Sequence, residues 1–285
     1  MTSSKKKTAW VIDAKNSYFD LNLKEILSYN HLLARLVRKD FLINYQQTLL
    51  GPVWILFQPL LTMVTYIFIF NKVIGVSIGG KLPPVLFYFS GIVLWNFFND
   101  SFTAISKTFR DNVHIFSKVY FPRLIIPLAS ITTQFFRFLI QFAFLLILLI
   151  YFAAFKGFHE KFTLYLLTIP VVIFFVGMIS LSIGLIFSIV TAKYRDLSNF
   201  IDIFIRVLLF ITPIIYPLST VKANIRWIVE LNPLTPLFEL FRLGLLGEGT
   251  VSFSQLLYSG IFAAVSLFIA ILIFNKQGSR LIDVI

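Results

Sequence analysis

The chain has 285 residues, of which 58% are hydrophobic, 13% are charged and 34 are phenylalanine. Average soluble domains carry about 25% charged residues, so a water-soluble fold of this composition would expose large apolar patches. The composition therefore predicts a polytopic membrane protein and excludes a disordered chain. The lack of cysteine excludes thiolate catalysis, thiolate metal sites and a disulfide scaffold.

Long runs with few charges predict the membrane spans, because a helix needs about 20 apolar residues to cross about 30 Å of hydrocarbon. The spans must be helical, since an open strand would leave backbone groups unpaired in lipid. We therefore expect an all-α integral membrane protein with six transmembrane helices. These six spans are predicted at about 51–72, 83–104, 125–155, 163–192, 200–217 and 253–275.

Basic residues predict the orientation, because Lys and Arg in short flanking segments favour the cytoplasmic side. With the amino terminus inside, sixteen of the 25 basic residues lie in cytoplasmic segments, seven in outer loops and two within spans. Both termini are therefore expected in the cytoplasm. The net charge of +12 follows from this topology and from attraction to the inner leaflet, so no nucleic-acid partner is expected.

An amphipathic helix is predicted before the first span. Residues 29–46 repeat leucines at helical spacing, while Arg35, Arg38 and Lys39 fall elsewhere on the helix, which is typical of a helix lying in the inner membrane interface. Residues 1–24 form an amino-terminal cytoplasmic extension, and residues 25–285 form a single transmembrane domain.

A helical hairpin is predicted before the last span. Residues 224–231 and 236–246 are short apolar stretches separated by Asn232-Pro233. Stretches of about 10 residues cannot cross a bilayer, so a re-entrant or interfacial hairpin is expected. Glu239 and Arg242 lie three residues apart on one helix face and can pair with each other.

Ionisable groups inside spans cost about 2.5–3.5 kcal/mol at the bilayer centre, so they are paired or functional. Gln134, Arg137 and Gln141 share one face of the third span, and this face cannot contact lipid. It either lines a polar path or is paired by neighbouring helices, such as the one carrying Asp202; internal pairing is the favoured interpretation. Asp202 is also expected to pair with Arg206, four residues away.

Aromatic residues in the first two spans offer flat faces suited to sugar rings. They suit lipid-facing packing and interfacial belts equally well, and that role is more typical of any single residue. The candidates for a channel lining are Trp54, Tyr66, Tyr88 and Trp95.

Several catalytic and cofactor motifs are missing from the sequence. No G-x-x-x-x-G-K-[ST] loop, H-E-x-x-H pair or G-x-S-x-G elbow occurs. We therefore expect no catalytic residue, no metal and no bound cofactor in this chain, and an energy source elsewhere. The basic cytoplasmic stretch around residues 106–123 is either an anchor for a protein partner or a solvated loop.

Five strings carry a family resemblance from about residue 25 to the end. In chain order they are QTLLGPVWILFQPL (47–60), KVYFPRLIIPL (118–128), YRD (194–196), PIIYPLS (213–219) and NPLTPLFELFR (232–242). The chain resembles the permease subunit of type-2 ABC exporters for lipid-linked polysaccharide, the O-antigen, capsule and teichoic-acid class.

The resemblance implies a half-transporter and not an enzyme. It implies pairing with a second copy and with a separate ATPase that binds ATP and Mg, and export of a polyprenyl-diphosphate-linked polysaccharide across the cytoplasmic membrane. Leu50 and Gly51 would close the cytoplasmic entrance. The coupling segment would include Lys107, Arg110, Phe116 and Lys118, and the outer gate Trp227, Pro233, Pro236, Glu239 and Arg242.

The basic residues of the interfacial helix suggest how substrate enters. Arg35, Arg38 and Lys39 form a cationic cluster beside the expected entrance, suited to a lipid diphosphate or simply to anionic membrane lipids. Two other functions stay open. An ion-coupled carrier usually shows repeats and midplane carboxylates, whereas Asp100 and Asp202 lie toward the inner face. A membrane enzyme acting on lipid-linked sugars needs converging acids, which the outer loops lack.

Overall fold

The structure is a computed structural model that describes residues 23–43, 45–75, 78, 82–112, 121–158, 164–194 and 196–282. Within these ranges the chain is helical and contains no strand, which confirms the predicted all-α class. The predicted extension up to residue 22 lies outside the described residues, as do Phe116 and Lys118.

The helices are named here in chain order. They are α1 (Leu23–Ser28), α2 (Asn30–Ile43), α3 (Trp54–Tyr66), α4 (Pro84–Ser106), α5 (Thr108–Asp111), α6 (Ile125–Phe155), α7 (Ile169–Lys193), α8 (Leu197–Ile211), α9 (Ala223–Leu231), α10 (Thr235–Leu246) and α11 (Phe253–Ile282). A 3₁₀ turn (Gly51–Val53) precedes α3, a π-helical segment (Ile67–Val73) extends it, and a 3₁₀ turn (Leu164–Thr168) precedes α7.

Four helical segments of the described chain are long and apolar enough to cross a membrane. They are Gly51–Val73, Ile125–Phe155, Tyr165–Lys193 and Phe253–Gln277, and each coincides with a predicted span. Helix α4 has 23 residues, a length of about 35 Å. Its composition is less apolar because Asn96, Asn99 and Asp100 lie within it.

Helix α8 is shorter than the predicted span over 200–217. It has 15 residues and ends at Ile211, about 22 Å from its start. Thr212 is extended (φ −78°, ψ 135°), as expected for a residue before proline, because the ring of Pro213 disfavours the helical region there. The helix therefore ends before residue 217, the predicted end of this span.

Helix α4 forms the centre of the molecule. It packs against α3, α6, α7, α8 and α10. Its side chains are buried from Leu86 to Ile105 except on one face, where Asn96, Asn99, Asp100, Thr103 and Ala104 are half-buried. A helix surrounded in this way must run alongside the apolar helices that enclose it, and polar groups on it need partners inside the protein.

Small residues allow α7 to approach α4 closely. A Cβ added at Gly184 would lie 2.8 Å from the Cβ of Ile105. Near the same end, the Thr191 hydroxyl donates to the Ser106 carbonyl at 2.8 Å. Small side chains and hydroxyl hydrogen bonds are typical contacts between helices in membranes.

The predicted amphipathic helix is present as α2, which ends at Ile43 rather than at residue 46. Its leucines, including Leu32 and Leu36, pack on Phe121 and Ile125 at the start of α6. The apolar face is thus covered by the protein itself, while the charged face is open.

The two short helices predicted before the last span are present as α9 and α10, joined by a short turn, and are called the hairpin here. The Asn232 carboxamide stabilises the turn between them: its Nδ2 donates to the Thr212 hydroxyl at 2.8 Å, and its Oδ1 accepts from the Leu234 backbone N–H at 3.0 Å. Helix α10 is buried along most of its length, whereas α9 is largely exposed. The hairpin is therefore anchored through α10.

Candidate functional site

A polar cavity of about 590 Å³ lies between α3, α4 and α6. We call it the inner cavity. It is lined by Tyr45, Trp54, Ile55, Gln58, Pro59, Thr62, Asn96, Asn99, Asp100, Thr103, Ala104, Lys107, Gln134, Arg137 and Gln141. Since the surrounding helices are otherwise strongly apolar, this concentration of carboxamides and charges marks the inner cavity as the candidate functional site.

The polar face predicted on the third span forms one wall of the inner cavity. Arg137 lies over the ring of Tyr45, 5.3 Å from its centroid, and its Nη1 donates to the Gln134 Oε1 at 3.2 Å. The Asp100 carboxylate is within electrostatic range of Arg137. The partners of Arg137 are therefore on its own helix, on α4 and on the segment after α2. The expected pairing with the helix of Asp202 is not formed among the described residues.

Gln141 compensates for a proline in α3. Pro59 has no N–H, so the Ile55 carbonyl lacks its usual donor four residues later in the helix. The Gln141 Nε2 donates to this carbonyl at 3.1 Å, and its Oε1 accepts from the Asn96 Nδ2 at 3.4 Å. An unpaired carbonyl inside a membrane is costly, so this contact ties α3 to α6 and α4.

Helix α4 contributes cavity residues that the sequence interpretation did not assign to a site, and Lys107, which was expected in the coupling segment, follows directly after the helix. Asn96, Asn99, Asp100, Thr103 and Lys107 all line the inner cavity. Their spacing of three, four, seven and eleven residues from Asn96 places them on one helix face. This spacing was the available signal, and it shows that Asp100 belongs to a cavity wall.

Leu50 and Gly51, two of the expected entrance residues, lie just before α3, which lines the inner cavity. Gly51 has φ +52°, a left-handed conformation that L side chains rarely adopt, and Leu50 directly precedes it. Trp54 follows in the first turn of α3, is 40% exposed and lines the cavity. The α2 residues Arg35 and Arg38 are exposed, as is Lys39.

Two of the four aromatic candidates are buried in the core. Tyr88 is 0% exposed and Trp95 is 5% exposed, because both lie on the central helix α4. Tyr66 is half-buried and packs against Tyr88 with ring centroids 6.3 Å apart. The expectation that Tyr88 and Trp95 line a channel does not fit this burial; Trp54 alone of the four combines exposure with a place in the inner cavity.

A second cluster of charge is buried on α10 of the hairpin. Glu239 and Arg242 form the predicted pair, with 3.7 Å between the Arg242 Nη1 and the Glu239 Oε1. Arg242 also donates from Nη2 to the Ile214 carbonyl at 2.8 Å and lies 3.9 Å from the ring centroid of Phe87. This cluster fixes α10 to α4 and to the segment after α8.

The other candidate gate residues differ in burial. Pro236 is buried at the start of α10, Pro233 is half-buried in the turn, and Trp227 on α9 is 62% exposed. Helix α10, which carries Pro236, is thus buried, whereas α9, which carries Trp227, is largely exposed.

Asp202 and Arg206 do not form the predicted ion pair. Both side chains are exposed on α8, and the ion pairs within the described part of the chain do not include them.

Two of the candidate coupling residues, Lys107 and Arg110, lie directly after α4. Lys107 lines the inner cavity. Arg110 is exposed on α5, where it pairs with Asp111 at 3.0 Å and donates to the Ser198 hydroxyl at 2.9 Å. Arg110 therefore connects α5 to the first turn of α8.

Comparison with known proteins assigns the chain to a family. Residues 31–246 match the family described as ABC-2 type transporter, which covers more than half of the chain. The chain belongs to the ABC-2 type transporter family.

Individual members of this family extend the comparison over most of the chain. Two Klebsiella pneumoniae proteins named O-antigen export system permease protein RfbA are each 29% identical to this chain. The first match covers 89% of this chain and 95% of the relative, and the second covers 93% of this chain and 99% of the relative. A Myxococcus xanthus protein of the same name is 25% identical over 77% of this chain and 82% of that protein. This ABC-2 chain is thus similar to those permeases over nearly their whole length.

Proposed function

We propose that this chain is the membrane-spanning half of an exporter for a polyprenyl-diphosphate-linked polysaccharide of the O-antigen type. The observation that carries the proposal is the near end-to-end similarity to permeases named for O-antigen export. In this account two copies form the channel in the cytoplasmic membrane, and a separate ATPase, which binds ATP and Mg, drives it.

The exposed charges on α8 support the proposal that a second copy of the chain lies beside this helix. Asp202 and Arg206 are exposed in the single chain, beside the exposed apolar side chains Ile203 and Val207. A charge facing hydrocarbon costs about 2.5–3.5 kcal/mol near the bilayer centre, even on the lenient insertion scale. A partner copy with a water-filled channel between the two chains removes this cost.

Packing supports a six-span topology, and the excess of basic residues in the inner segments favours both termini in the cytoplasm. Helix α4 lies among α3, α6 and α7, and its polar side chains face the inner cavity rather than lipid. We therefore place α4 across the membrane together with these apolar helices. Helix α8 crosses most of the bilayer, and the segment after it completes the crossing to the hairpin.

Single-cysteine labelling tests this topology without background, because the chain has no native cysteine. The exposed residues Asp111, Lys156, Asp196 and Ser219 are suitable positions. With a membrane-impermeant maleimide, cysteines at 156 and 219 should react in intact cells, and those at 111 and 196 only in inverted vesicles. Reaction of position 219 from the cytoplasmic side would show that α8 does not cross.

Coupling to the ATPase is proposed for the end of α4 and the loop that follows. Replacing Arg110 with Ala removes the contact with Ser198, and replacing Phe116 with Ala removes an apolar anchor. Each change is expected to lower ATPase stimulation several-fold while insertion is unchanged; exposed contacts of this kind contribute only about 0–1 kcal/mol to folding. The measurement is ATPase activity and export by the purified complex in vesicles.

The matched control for coupling is Lys156→Ala, an exposed basic residue at the opposite end of α6. It should leave ATPase stimulation unchanged. Full export and full stimulation in both Arg110→Ala and Phe116→Ala would refute the proposed coupling segment.

Co-purification tests the proposed function most simply. The tagged chain, extracted in mild detergent from its own host, should retain an ATPase subunit, with two permease copies and two ATPase copies in the complex. A chain that purifies alone and transports its substrate on an ion gradient would favour an ion-coupled carrier instead.

A further inference from the structure

We propose that the inner cavity binds one neutral sugar residue, through hydrogen bonds from its carboxamides and contact with the ring of Trp54. That this sugar belongs to the exported glycan rests on the proposed function; the sugar site itself rests on the geometry of the cavity. Its volume of about 590 Å³ lies within the range of about 300–1,000 Å³ that small-molecule sites occupy.

The composition of the walls favours a polyol. A carboxamide both donates and accepts hydrogen bonds, as a sugar hydroxyl does, whereas a phosphate ester only accepts. The carboxamides that line the cavity are Gln58, Asn96, Asn99, Gln134 and Gln141. They come from three helices, so they surround the space instead of forming a stripe on one helix.

The charges of the cavity do not mark it as a dedicated anion site. The cavity holds the cations Arg137 and Lys107, but also the Asp100 carboxylate, which would repel a phosphate. Arg137 is partly engaged already, because it donates to Gln134 and lies over the ring of Tyr45. A ligand without charge meets neither repulsion nor the need to displace these contacts.

Some hydrogen-bonding groups of the cavity are unused by the described part of the chain. The Arg137 Nε is buried and has no hydrogen-bond partner there. The Gln58 carboxamide likewise makes no hydrogen bond to the described residues, in contrast to Gln141, which is engaged at both ends. A buried donor such as the Arg137 Nε is costly unless water or a ligand satisfies it, whereas the exposed Gln58 carboxamide is available to bind a ligand in place of water.

Trp54 supplies a surface on which a sugar ring can stack. Its side chain is 40% exposed and lines the cavity directly after the Gly51 turn. An indole is large, rigid and apolar, which suits the C–H face of a pyranose while the carboxamides bind its hydroxyls. A sugar that enters past Gly51 therefore meets Trp54 first.

Saturation-transfer NMR on the permease–ATPase complex tests the proposal. The complex is placed in phospholipid nanodiscs free of glycoside detergent, since such detergents would occupy the site. The probes are the methyl glycosides of glucose, galactose, mannose and N-acetylglucosamine, and inorganic pyrophosphate. At least one glycoside should show transfer to its ring protons. Gln58→Leu and Asn99→Leu should each weaken binding about tenfold, as expected for the loss of one hydrogen bond.

The matched control is Asn71→Leu, because Asn71 lies in the π-helical extension of α3 and outside the cavity lining. It should leave glycoside binding unchanged. Binding of pyrophosphate alone, weakened by Arg137→Gln, would overturn the proposal in favour of a phosphate site. Binding of no probe to the unaltered complex would overturn it as well. If the complex binds a glycoside but deletion of this chain leaves the surface glycan normal, the sugar site is retained and the export function is refuted.

Discussion

Replacing Arg242 with methionine is expected to destabilise the folded protein by about 3–5 kcal/mol, the usual cost of breaking a buried ion pair by removing one partner. Glu239 and Arg242 are 4% and 2% exposed, so the Glu239 carboxylate would be left as an uncompensated buried charge. The change also removes the contact with Phe87 and the hydrogen bond to the Ile214 carbonyl. Thermal unfolding of the purified protein in detergent measures the effect.

A double variant separates the charge effect from lost packing. In Arg242→Met with Glu239→Gln, the buried charge is gone and the side chain at 239 can still accept from the Thr250 backbone N–H, so part of the stability should return. The control is Arg226→Met, because the Arg226–Glu230 pair is a half-exposed i,i+4 contact of 2.8 Å. It should cost about 0.5 kcal/mol or less. Equal losses for the single and double variants would refute the charge argument.

Replacing Gly184 with alanine is expected to destabilise the protein by about 1–3 kcal/mol, the usual cost of overpacking. The added Cβ would lie 2.8 Å from the Cβ and Cγ2 of Ile105, which α7 and α4 can relieve only by moving apart. Because α4 also carries Asn99 and Asp100, this movement should distort the inner cavity and reduce transport in parallel. Thermal unfolding and reconstituted transport are the two measurements.

The matched control is Gly177→Ala on the same helix. A Cβ there meets nothing closer than 3.6 Å, an ordinary van der Waals distance. Both variants gain the same helix propensity, about 1 kcal/mol for alanine over glycine, so their difference isolates the clash at Gly184. Equal stability of the two variants would contradict the close α4–α7 approach.

The sequence predicts most of the helices because their signals are local. The apolar runs of α3, α6, α7 and α11 match the requirements of a membrane, and Asn232-Pro233 marks the turn of the hairpin. The pairing of Glu239 with Arg242 also follows from spacing on one helix. The early end of α8 also has a local signal, because Pro213 disfavours a helical conformation at the residue before it. The apolar composition, which continues past this residue, led the prediction to extend the span to residue 217.

The inner cavity was only partly predictable because it depends on which helices become neighbours. The polar face with Arg137 is visible in the sequence, but its partner on α4 is not, because composition does not specify which helix α6 packs against. The role of Gln141 depends on the missing N–H of Pro59, more than eighty residues earlier. Tyr88 and Trp95 are likewise buried because α4 is the central helix, and this position depends on tertiary packing that the sequence pattern does not reveal.

The alternative of a membrane enzyme receives no support from the described residues. No group of three or more His, Cys, Asp or Glu side chains that is able to hold a metal occurs among them. Asp100 is the acid of the inner cavity, and its neighbours there are carboxamides and cations rather than a second carboxylate. Such a wall binds and orients a ligand, which suits a transport path better than acid–base chemistry.

Deletion of this permease, with glycan synthesis intact, tests the export function most directly. The account predicts that surface polysaccharide disappears while polyprenyl-linked glycan accumulates on the cytoplasmic side of the membrane. Expression of the unaltered chain should restore export, whereas Arg242→Met should not. Normal surface polysaccharide in the deletion strain, with a different lipid or a small solute accumulating instead, would contradict the account.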